Sequence, residues 1–363
     1  MRVAIDGREL TGRPTGVGRY LAELLRHWEA RADRAARQLA LLIPGDAGLA
    51  APVPDGVEIR RIARGGGTRW EQFPLARALR EGAFDVFFAP AYSAPLAHRV
   101  PIVLAVHDVS FIAHPEWFSW REGLRRRLVT RLSAARARIV LTFSAFSAAE
   151  IRRLLGVDPA RLRVIPHGVD RRPADAVPKE PLVLFAGSLL ARRRIPDLLR
   201  AFAEVAPKVP GARLVIAGEN RTWPREDPAA LARALGIAGL VHFAEYVSDD
   251  ELARLYGRAR VFVFVSEYEG FGLTPLEAMA AGAAVVAADT PVAREIYGPA
   301  AWLVPPGDVP ALASAIERLL VDEVRRGELL AHAPAVLARY SWDRAAGETM
   351  AALEEAARRS WPS

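Results

Sequence analysis

One segment is the most informative about the architecture of this chain: Val261-Phe-Val-Phe-Val-Ser-Glu-Tyr-Glu-Gly-Phe-Gly-Leu-Thr-Pro-Leu-Glu-Ala-Met-Ala-Ala-Gly282. It predicts a buried strand, an acidic glycine-rich loop and a helix, the unit from which parallel sheets covered by helices are built. Thr274 as N-cap, Pro275 as first helical residue and Glu277 as third make a capping box, which gives Glu277 a structural role. Glu269 has no role in that scheme. Its carboxylate lies in a loop at the carboxyl end of a predicted strand, where ligands of such sheets bind, and therefore predicts a hydroxylated ligand.

Short apolar runs alternate with helical stretches along the rest of the chain, which predicts an α/β protein with two parallel sheets. The first series of predicted strands comprises Val3 to Ile5, Leu39 to Ile43, Val57 to Arg60, Val86 to Ala89, Ile102 to Val106, Ile139 to Thr142 and Arg163 to Ile165. The second comprises Leu182 to Ala186, Arg213 to Ala217, Val241 to Ala244, Val261 to Val265, Val285 to Ala287 and Trp302 to Val304.

A polar segment with three prolines, Asp170 to Pro181, separates the two series. We therefore predict a first domain over residues 1–170, a linker over 171–181 and a second domain over 182–340. A helix over 341–363 is expected to cross back to the first domain. Two such domains place a ligand between them, where the carboxyl ends of their strands meet loops and helix N-termini.

Composition excludes several classes of protein. Of the 363 residues, 51% are hydrophobic, which is enough to bury a core, and none is cysteine, which excludes disulfide frameworks and thiolate metal sites. No apolar run approaches the roughly 18 residues that span a bilayer, and Asp6 interrupts the position of a signal peptide's apolar region. We expect a cytoplasmic protein that is neither integral nor secreted. The net charge is +7, and residues 1–180 carry 29 Lys and Arg against 19 Asp and Glu, so the first half is expected to meet an anionic partner.

Two further loops follow predicted strands. Glycines 7, 12, 16 and 18 lead into a helix predicted over 19–28, and such a loop either presents amides and a helix dipole to a diphosphate or is an ordinary glycine-rich turn. After the strand Leu182 to Ala186, the run Arg192-Arg-Arg194 either clamps phosphate oxygens or is a solvated basic turn. The spacing alone does not decide between these interpretations.

The segment Ser266 to Gly282 resembles the signature of the retaining nucleotide-sugar glycosyltransferases of family GT4, which have the GT-B fold of two Rossmann-like domains facing across a cleft. The two glutamates of that signature match Glu269 and Glu277. Further matches follow in the family's order along essentially the whole chain: Thr15 to Tyr20, His107-Asp108, Val164 to Asp170, Gly187 to Arg194 and Tyr246-Val247.

The resemblance implies a role for each matching residue in the second domain. Glu269 would bind hydroxyls of the donor sugar, and Glu277 would hold the nucleotide ribose. The other implied contacts are the amides of Phe271, Gly272 and Leu273 with the sugar and diphosphate, Arg192 and Arg193 with the diphosphate, and the backbone near Tyr246 and Val247 with the base. Arg193 stands where the family has lysine and Arg194 where it has asparagine, so this turn is the weakest match.

In the first domain, the resemblance implies that Gly16 and Val17 face the diphosphate and that His107 lies beside the donor sugar. A histidine satisfied at a strand end is the alternative for His107, and Asp108 either orients it or acts directly. No Asp-x-Asp triplet occurs in the chain, so we expect no metal ion and no other cofactor.

The resulting hypothesis is a retaining, metal-independent glycosyltransferase in which the departing diphosphate takes the acceptor proton. The donor is a nucleoside diphosphate sugar, with GDP-mannose as the first candidate, and the acceptor is a glycan or a lipid-linked saccharide of polysaccharide assembly. The alternatives are a nucleotide-sugar epimerase of the same fold and a nucleotide-sugar-binding protein without turnover. No nucleic-acid partner is expected.

The segment Arg121 to Arg138 is strongly basic, with seven arginines against Glu122. It places Leu124, Leu128, Leu132 and Ala135 at helical spacing on one face. Either this helix lies on an anionic membrane surface, which would make the protein peripheral on the inner face of a membrane, or its apolar stripe packs on the sheet.

Overall fold

A computed structural model describes residues 1–12, 15–31, 36–50, 52–170 and 177–358. Contacts divide the chain into two compact units. The first comprises Met1–Ala113, Arg121–Gly168 and Ser341–Ser363, and the second comprises His114–Trp120 and Val169–Tyr340. The predicted domains did not assign the short segment His114–Trp120 to the second unit. Within that unit, the His114 ring stacks on Trp117 at 4.0 Å and meets the Tyr268 ring at 5.2 Å.

The first unit is built on a parallel seven-stranded sheet of order β3-β2-β1-β4-β5-β6-β7. Its strands are β1 (Arg2–Asp6), β2 (Gln38–Pro44), β3 (Val57–Ile62), β4 (Val86–Ala89), β5 (Ile102–Ala105), β6 (Ile139–Thr142) and β7 (Leu162–Val164). The helices before the domain crossing are α1 (Gly16–Glu29), α2 (Gly67–Trp70), α3 (Ala76–Glu81), α4 (Ser110–Ala113), α5 (Trp120–Arg136) and α6 (Ala145–Leu155). A π-helical turn, Glu71–Leu75, joins α2 to α3.

The second unit is built on a parallel six-stranded sheet of order β10-β9-β8-β11-β12-β13. Its strands are β8 (Glu180–Ala186), β9 (Arg213–Ala217), β10 (Val241–Ala244), β11 (Ala259–Phe264), β12 (Ala284–Ala288) and β13 (Ala301–Val304). Its helices are α7 (Ile195–Val205), α8 (Pro228–Ala234), α9 (Asp249–Arg258), α10 (Leu273–Ala280), α11 (Pro291–Ile296), α12 (Val309–Val321), α13 (Glu323–Ala331) and α14 (Ala333–Leu337).

Every predicted strand is present. Several are apolar runs that the sheet buries completely, as in β4, β5, β6 and β12, whereas β3 and β7 are partly exposed. The predicted linker differs from the structure at its end. Residues 171–176 lie outside the described part of the chain, and β8 already begins at Glu180, inside the predicted linker. The carboxylate of Glu180 there accepts hydrogen bonds from Arg258 at 2.8 and 3.0 Å, which keeps a charged residue at the start of the strand.

Strand order determines where a ligand site is expected in each unit. Numbering along each sheet reverses direction once, between β1 and β4 in the first unit and between β8 and β11 in the second. Loops that leave adjacent strands in opposite directions open a crevice at that switch point, at the carboxyl ends of the strands. In the second unit, those loops are Gly187 to Arg194 and Val265 to Gly272.

The last described helix, α15 (Trp342–Arg358), belongs to the first unit. Trp28 of α1 donates its indole N–H to the carbonyl of Ala346 at 2.8 Å. A Cβ on Gly168 would lie 2.2 Å from the backbone nitrogen of Trp342, so only glycine lets the two segments approach so closely. α15 therefore forms part of the core of this unit.

Helix α5 is oriented by its small residues and not by its leucines. Its buried residues are Gly123, Thr130, Ser133 and Ala134. The Ser133 hydroxyl accepts from the amide of Ala94 at 3.0 Å, whereas Leu124 and Leu128 are 53% and 57% exposed. The interpretation in which the leucine stripe packs on the sheet is therefore wrong, because the small side permits closer packing against the body of the unit. No described helix combines the length and the apolar character that crossing a membrane requires.

Candidate functional site

The two switch-point loops of the second unit are joined by backbone as well as side chains. The amide of Glu267 donates to the carbonyl of Arg192 at 2.9 Å. β8 and β11 are hydrogen-bonded neighbours, so the loops that follow them start side by side. The structure thus brings Arg192, Arg193 and Glu269 together, although Arg193 and Glu269 are 76 positions apart in sequence.

Glu269 is 8% exposed and is tied into the protein. Its Oε1 accepts from Arg193 Nε at 2.9 Å and from the Ser266 hydroxyl at 2.9 Å, and Arg192 Nε lies 3.7 Å away. Arg193 in turn donates Nη1 to the carbonyl of Ser188 at 2.8 Å. Glu269 therefore has a structural role, although it has none in the predicted capping box. Its carboxylate compensates the charge of the arginine turn, which the sequence pattern did not show.

Arg194 has a different environment from its two neighbours. It adopts the left-handed conformation, with φ 49° and ψ 44°, and its guanidinium pairs with Asp197 and Glu267 at 2.5 Å each. Asparagine tolerates this conformation better than most residues. The backbone thus accounts for asparagine at the matching position of the family signature, and the two carboxylates hold Arg194 in its place.

Helix α10 starts earlier than predicted. Gly272, with φ 81°, is its N-cap, and Leu273 is its first residue. The capping box of Thr274 and Glu277 is therefore absent, because the left-handed glycine starts the helix before Thr274 can cap it. Glu277 instead accepts from the Tyr256 hydroxyl at 3.0 Å.

The Tyr297 side chain holds the loop before α10. The Tyr297 hydroxyl donates to the carbonyl of Gly272 at 3.0 Å. A Cβ at Gly272 would lie 1.9 Å from the hydroxyl oxygen of Tyr297. Both the positive φ and the close approach of Tyr297 thus require glycine at this position. The Tyr297 hydroxyl thus anchors the backbone at Phe271 and Gly272, directly before the first residue of α10.

Tyr246 and Val247 lie between β10 and α9, directly before Ser248, which caps α9 by accepting from the amide of Glu251. Tyr246 is exposed. Their contact with a nucleotide base stays a prediction.

In the first unit, α1 begins at Gly16, three residues before its predicted start at Arg19, with Thr15 as N-cap. A Cβ on Gly18 would lie 2.3 Å from the carbonyl oxygen of Glu9, so packing requires glycine there. A Cβ on Gly16 would meet nothing within 4 Å, so packing does not account for that glycine. The exposed amide end at Gly16 and Val17 fits the anion-binding interpretation, which stays a prediction.

His107 follows β5 and sits in an aromatic cluster. Its ring centroid lies 4.5 Å from that of Phe143, 5.4 Å from Tyr20 and 5.8 Å from His167. Nε2 donates to the carbonyl of Pro90 at 2.8 Å, which leaves Nδ1 as the acceptor nitrogen. Burial lowers the pKa of His107 to about 4 and holds the pKa of His167 well below its usual range. His107 is therefore neutral at pH 7.

Asp108 is engaged at the start of α4. Its Oδ1 accepts from the amide of Ser110 at 2.9 Å and from the Ser110 hydroxyl at 2.6 Å. This arrangement gives Asp108 a structural function at the helix start, which the sequence analysis did not consider.

Sequence reasoning missed a buried charge network at the carboxyl end of β1. Arg8 Nη2 pairs with Asp6 at 2.6 Å and also with Glu71, which is almost fully buried and accepts from the Ser93 hydroxyl. The sequence also did not identify Glu267 as a partner of Arg194. The three consecutive arginines could have indicated such a partner, since buried guanidinium groups require carboxylates.

Two family models together cover most of the chain. The model described as "Glycosyl transferases group 1" matches residues 169–334, and that described as "Glycosyltransferase Family 4" matches residues 14–172.

Similar sequences and structures agree with these matches. The chain is 29% identical over 295 residues to O-antigen chain mannosyltransferase B of Escherichia coli, spanning 77% of this chain and 76% of that protein. It is 29% identical over 327 residues to the GDP-mannose:cellobiosyl-diphosphopolyprenol alpha-mannosyltransferase of Komagataeibacter xylinus, spanning 85% and 81%. Sucrose-phosphate synthase from Thermosynechococcus elongatus matches with a TM-score of 0.78 at 18% identity, over 98% of each chain, which shows a shared fold.

Proposed function

This chain belongs to the group 1 glycosyl transferases of family GT4, and on that premise we propose that it transfers mannose from GDP-mannose to a hydroxyl of a glycan or lipid-linked saccharide. The transfer retains the anomeric configuration and uses no metal ion. The fold is GT-B, as predicted, with two doubly wound parallel sheets. The proposed place of action is the cytoplasm, at the inner face of a membrane.

The observation that carries the proposal is the cluster of Arg192, Arg193 and Glu269 at the switch point of the second sheet. Guanidinium groups match the geometry of phosphate oxygens, and a carboxylate accepts from sugar hydroxyls. The N-terminus of α10 lies at the end of the same loop and adds a positive dipole end to the site. One cluster thus offers groups for both halves of a nucleotide sugar.

The proposed reaction requires no protein nucleophile. The bond between the sugar C1 and the diphosphate oxygen breaks, and the acceptor oxygen forms the new bond to C1 on the same face. The acceptor's hydroxyl proton passes to the departing diphosphate, whose charge Arg192 and Arg193 stabilise.

Glu269 and the diphosphate would compete for Arg193. When the diphosphate takes the guanidinium, the Glu269 carboxylate gains acceptor capacity for the sugar hydroxyls. Donor binding would then place Arg193 on the diphosphate and Glu269 on the sugar hydroxyls in one step.

Mannose as the sugar is supported by the names of the relatives, which include two mannosyltransferases. One of those names also specifies a diphosphopolyprenol acceptor, which supports the lipid-linked class of acceptor for this chain.

The test is incubation of the purified protein with GDP-mannose, UDP-glucose or UDP-galactose, each with and without a polyprenyl-diphosphate saccharide. Mass spectrometry identifies the product, and NMR gives its anomeric configuration. An α-mannosylated acceptor formed with EDTA present is the expected result. A changed donor sugar without acceptor would indicate an epimerase, and donor binding without turnover a binding protein. Either outcome contradicts the proposal.

A further inference from the structure

A short segment from the first half of the chain belongs to the second unit. The chain leaves the first unit after α4, at Ala113, and rejoins it at Arg121 of α5. The residues between, His114–Trp120, contain a 3-10 turn at Pro115–Trp117. We call this segment the strap. Both of its ends continue into the first unit, so packing, and not sequence order, makes it part of the second.

Three aromatic rings join the strap to the loop that follows β11. The His114 and Trp117 rings are stacked, with centroids 4.0 Å apart and planes at 15°. The Tyr268 ring lies 5.2 Å from His114 and 6.4 Å from Trp117, at interplanar angles of 70° and 66°. Edge-to-face pairs of this kind attract beyond the area that they bury, since a positive ring edge meets a negative ring face. Tyr268 is only 6% exposed, so little water competes for the contact.

Tyr268 stands between two glutamates that contact the arginine turn. The amide of Glu267 donates to the carbonyl of Arg192 at 2.9 Å, and the Glu269 carboxylate accepts from Arg193 Nε at 2.9 Å. The loop is thus held by polar contacts on either side of Tyr268 and by aromatic packing at Tyr268 itself. Displacing the backbone at Tyr268 therefore displaces both glutamates.

We propose that His114 and Trp117 are positioning residues of the donor site, which act through Tyr268 to hold Glu269 where it meets the sugar. The inference rests on the proposed function, in which the diphosphate takes the Arg193 guanidinium from Glu269. After that exchange, Arg193 no longer holds the carboxylate. The ring contacts of Tyr268 do not involve Arg193, so they keep the loop in place when the donor is bound.

Hydrogen exchange on the full chain tests the hold on the loop without requiring activity. The peptide over residues 266–272 includes the amide of Glu267, whose hydrogen bond to Arg192 depends on the position of the loop. We expect Trp117→Ala to speed exchange in this peptide roughly tenfold, because a stacked and an edge-to-face contact are lost. Trp117→Phe keeps a ring and should change the exchange rate by less than about threefold. His114→Ala should give an intermediate increase, and it decides the question where Trp117→Ala does not fold.

Kinetics on the same variants use GDP-mannose as the donor and GDP as the ligand without sugar. We expect Trp117→Ala to lower kcat roughly tenfold, because a small displacement of Glu269 slows the reaction. The Kd for GDP should stay within about twofold of its value in the unaltered protein, since GDP has no sugar for Glu269 to bind. Trp117→Phe should recover most of the lost kcat. A merely structural role would instead lower kcat and GDP affinity together.

The matched control is Trp120→Ala. It removes the same type of side chain from the end of the strap, where Trp120 is 71% exposed. We expect exchange over residues 266–272 and kcat both to stay near the values of the unaltered protein.

Equal exchange rates in Trp117→Ala and Trp120→Ala would overturn the proposal. Faster exchange with an unchanged kcat, or equal losses of kcat and GDP affinity, would also overturn it. An unaltered protein that transfers no sugar would contradict the proposed function, and the exchange rates would still decide whether the strap holds the loop.

Discussion

Replacing Glu269 by alanine tests whether this carboxylate is both a structural and a functional group. The variant leaves the guanidinium of Arg193 without its partner in a site where the two side chains are only 15% and 11% exposed. Breaking a buried ion pair costs about 3 to 5 kcal/mol, and residual solvent access favours the lower end of that range. We therefore expect Glu269→Ala to destabilise the second unit by about 3 kcal/mol.

For a unit of this size, such a loss lowers the melting temperature by roughly 6 to 12 °C. Turnover should fall about 100-fold or more, because the sugar hydroxyls lose a charged acceptor. The affinity for the bare nucleoside diphosphate should not fall, since that ligand carries no sugar and Arg193 no longer has a competing partner. Calorimetric unfolding, initial rates and titration calorimetry measure the three quantities.

Two controls make the result specific. Glu251→Ala removes an exposed carboxylate whose pair with Arg254 spans 3.3 Å, and it should change stability by less than about 0.5 kcal/mol. The double variant Arg193→Ala, Glu269→Ala should be more stable than the sum of the single variants indicates. An unchanged melting temperature in Glu269→Ala would refute the ion-pair reasoning. Equal losses of turnover and diphosphate affinity would place Glu269 at the nucleotide instead of the sugar.

Four further predictions follow from the structure. Between pH 6.5 and pH 4 the unfolded chain binds a proton at His107 that the folded chain does not, so stability should fall by about 3 kcal/mol as the pH drops through this window; urea unfolding should show a smaller fall for His107→Asn. Gly272→Ala should lower the melting temperature, and Tyr297→Phe should recover part of that loss by removing the oxygen 1.9 Å from the new Cβ; no recovery would attribute the strain to φ alone. Arg192→Ala and Arg193→Ala should each weaken diphosphate binding in calorimetry more than Arg194→Ala does, whereas a dominant Arg194 would mean that the turn is misaligned with the family. EDTA should leave the rate of transfer unchanged, and restoration of a lost rate by magnesium or manganese would contradict the arginine-stabilised leaving group.

Most of the strands were predictable because they are apolar runs separated by helical periods, although β3 includes Glu58, Arg60 and Arg61. β4, β6 and β12 are buried at every position, so neither the type nor the place of these elements was ambiguous. Local helix starts were less predictable. The pattern around Thr274 satisfies the capping rule, but the left-handed conformation of Gly272 starts α10 first.

Long-range pairing was not predictable from local pattern. Glu269 and Arg193 meet only because β8 and β11 are neighbours at the switch point, a fact of sheet order that no nearby residue encodes. The orientation of α5 stayed open in the sequence for a related reason. Its leucines form the more hydrophobic stripe, but the side that the helix buries is the one formed by Gly123, Thr130 and Ser133.

The return of α15 to the first unit has a consequence for synthesis on the ribosome. Apart from His114–Trp120, the second unit is one continuous stretch, Val169–Tyr340, whereas the first lacks a piece of its core until Trp342–Arg358 has emerged. Domains generally fold in the order of their translation. Here the N-terminal unit begins first and is completed last, so a nascent chain halted before α15 would carry a finished second unit and an unfinished first one.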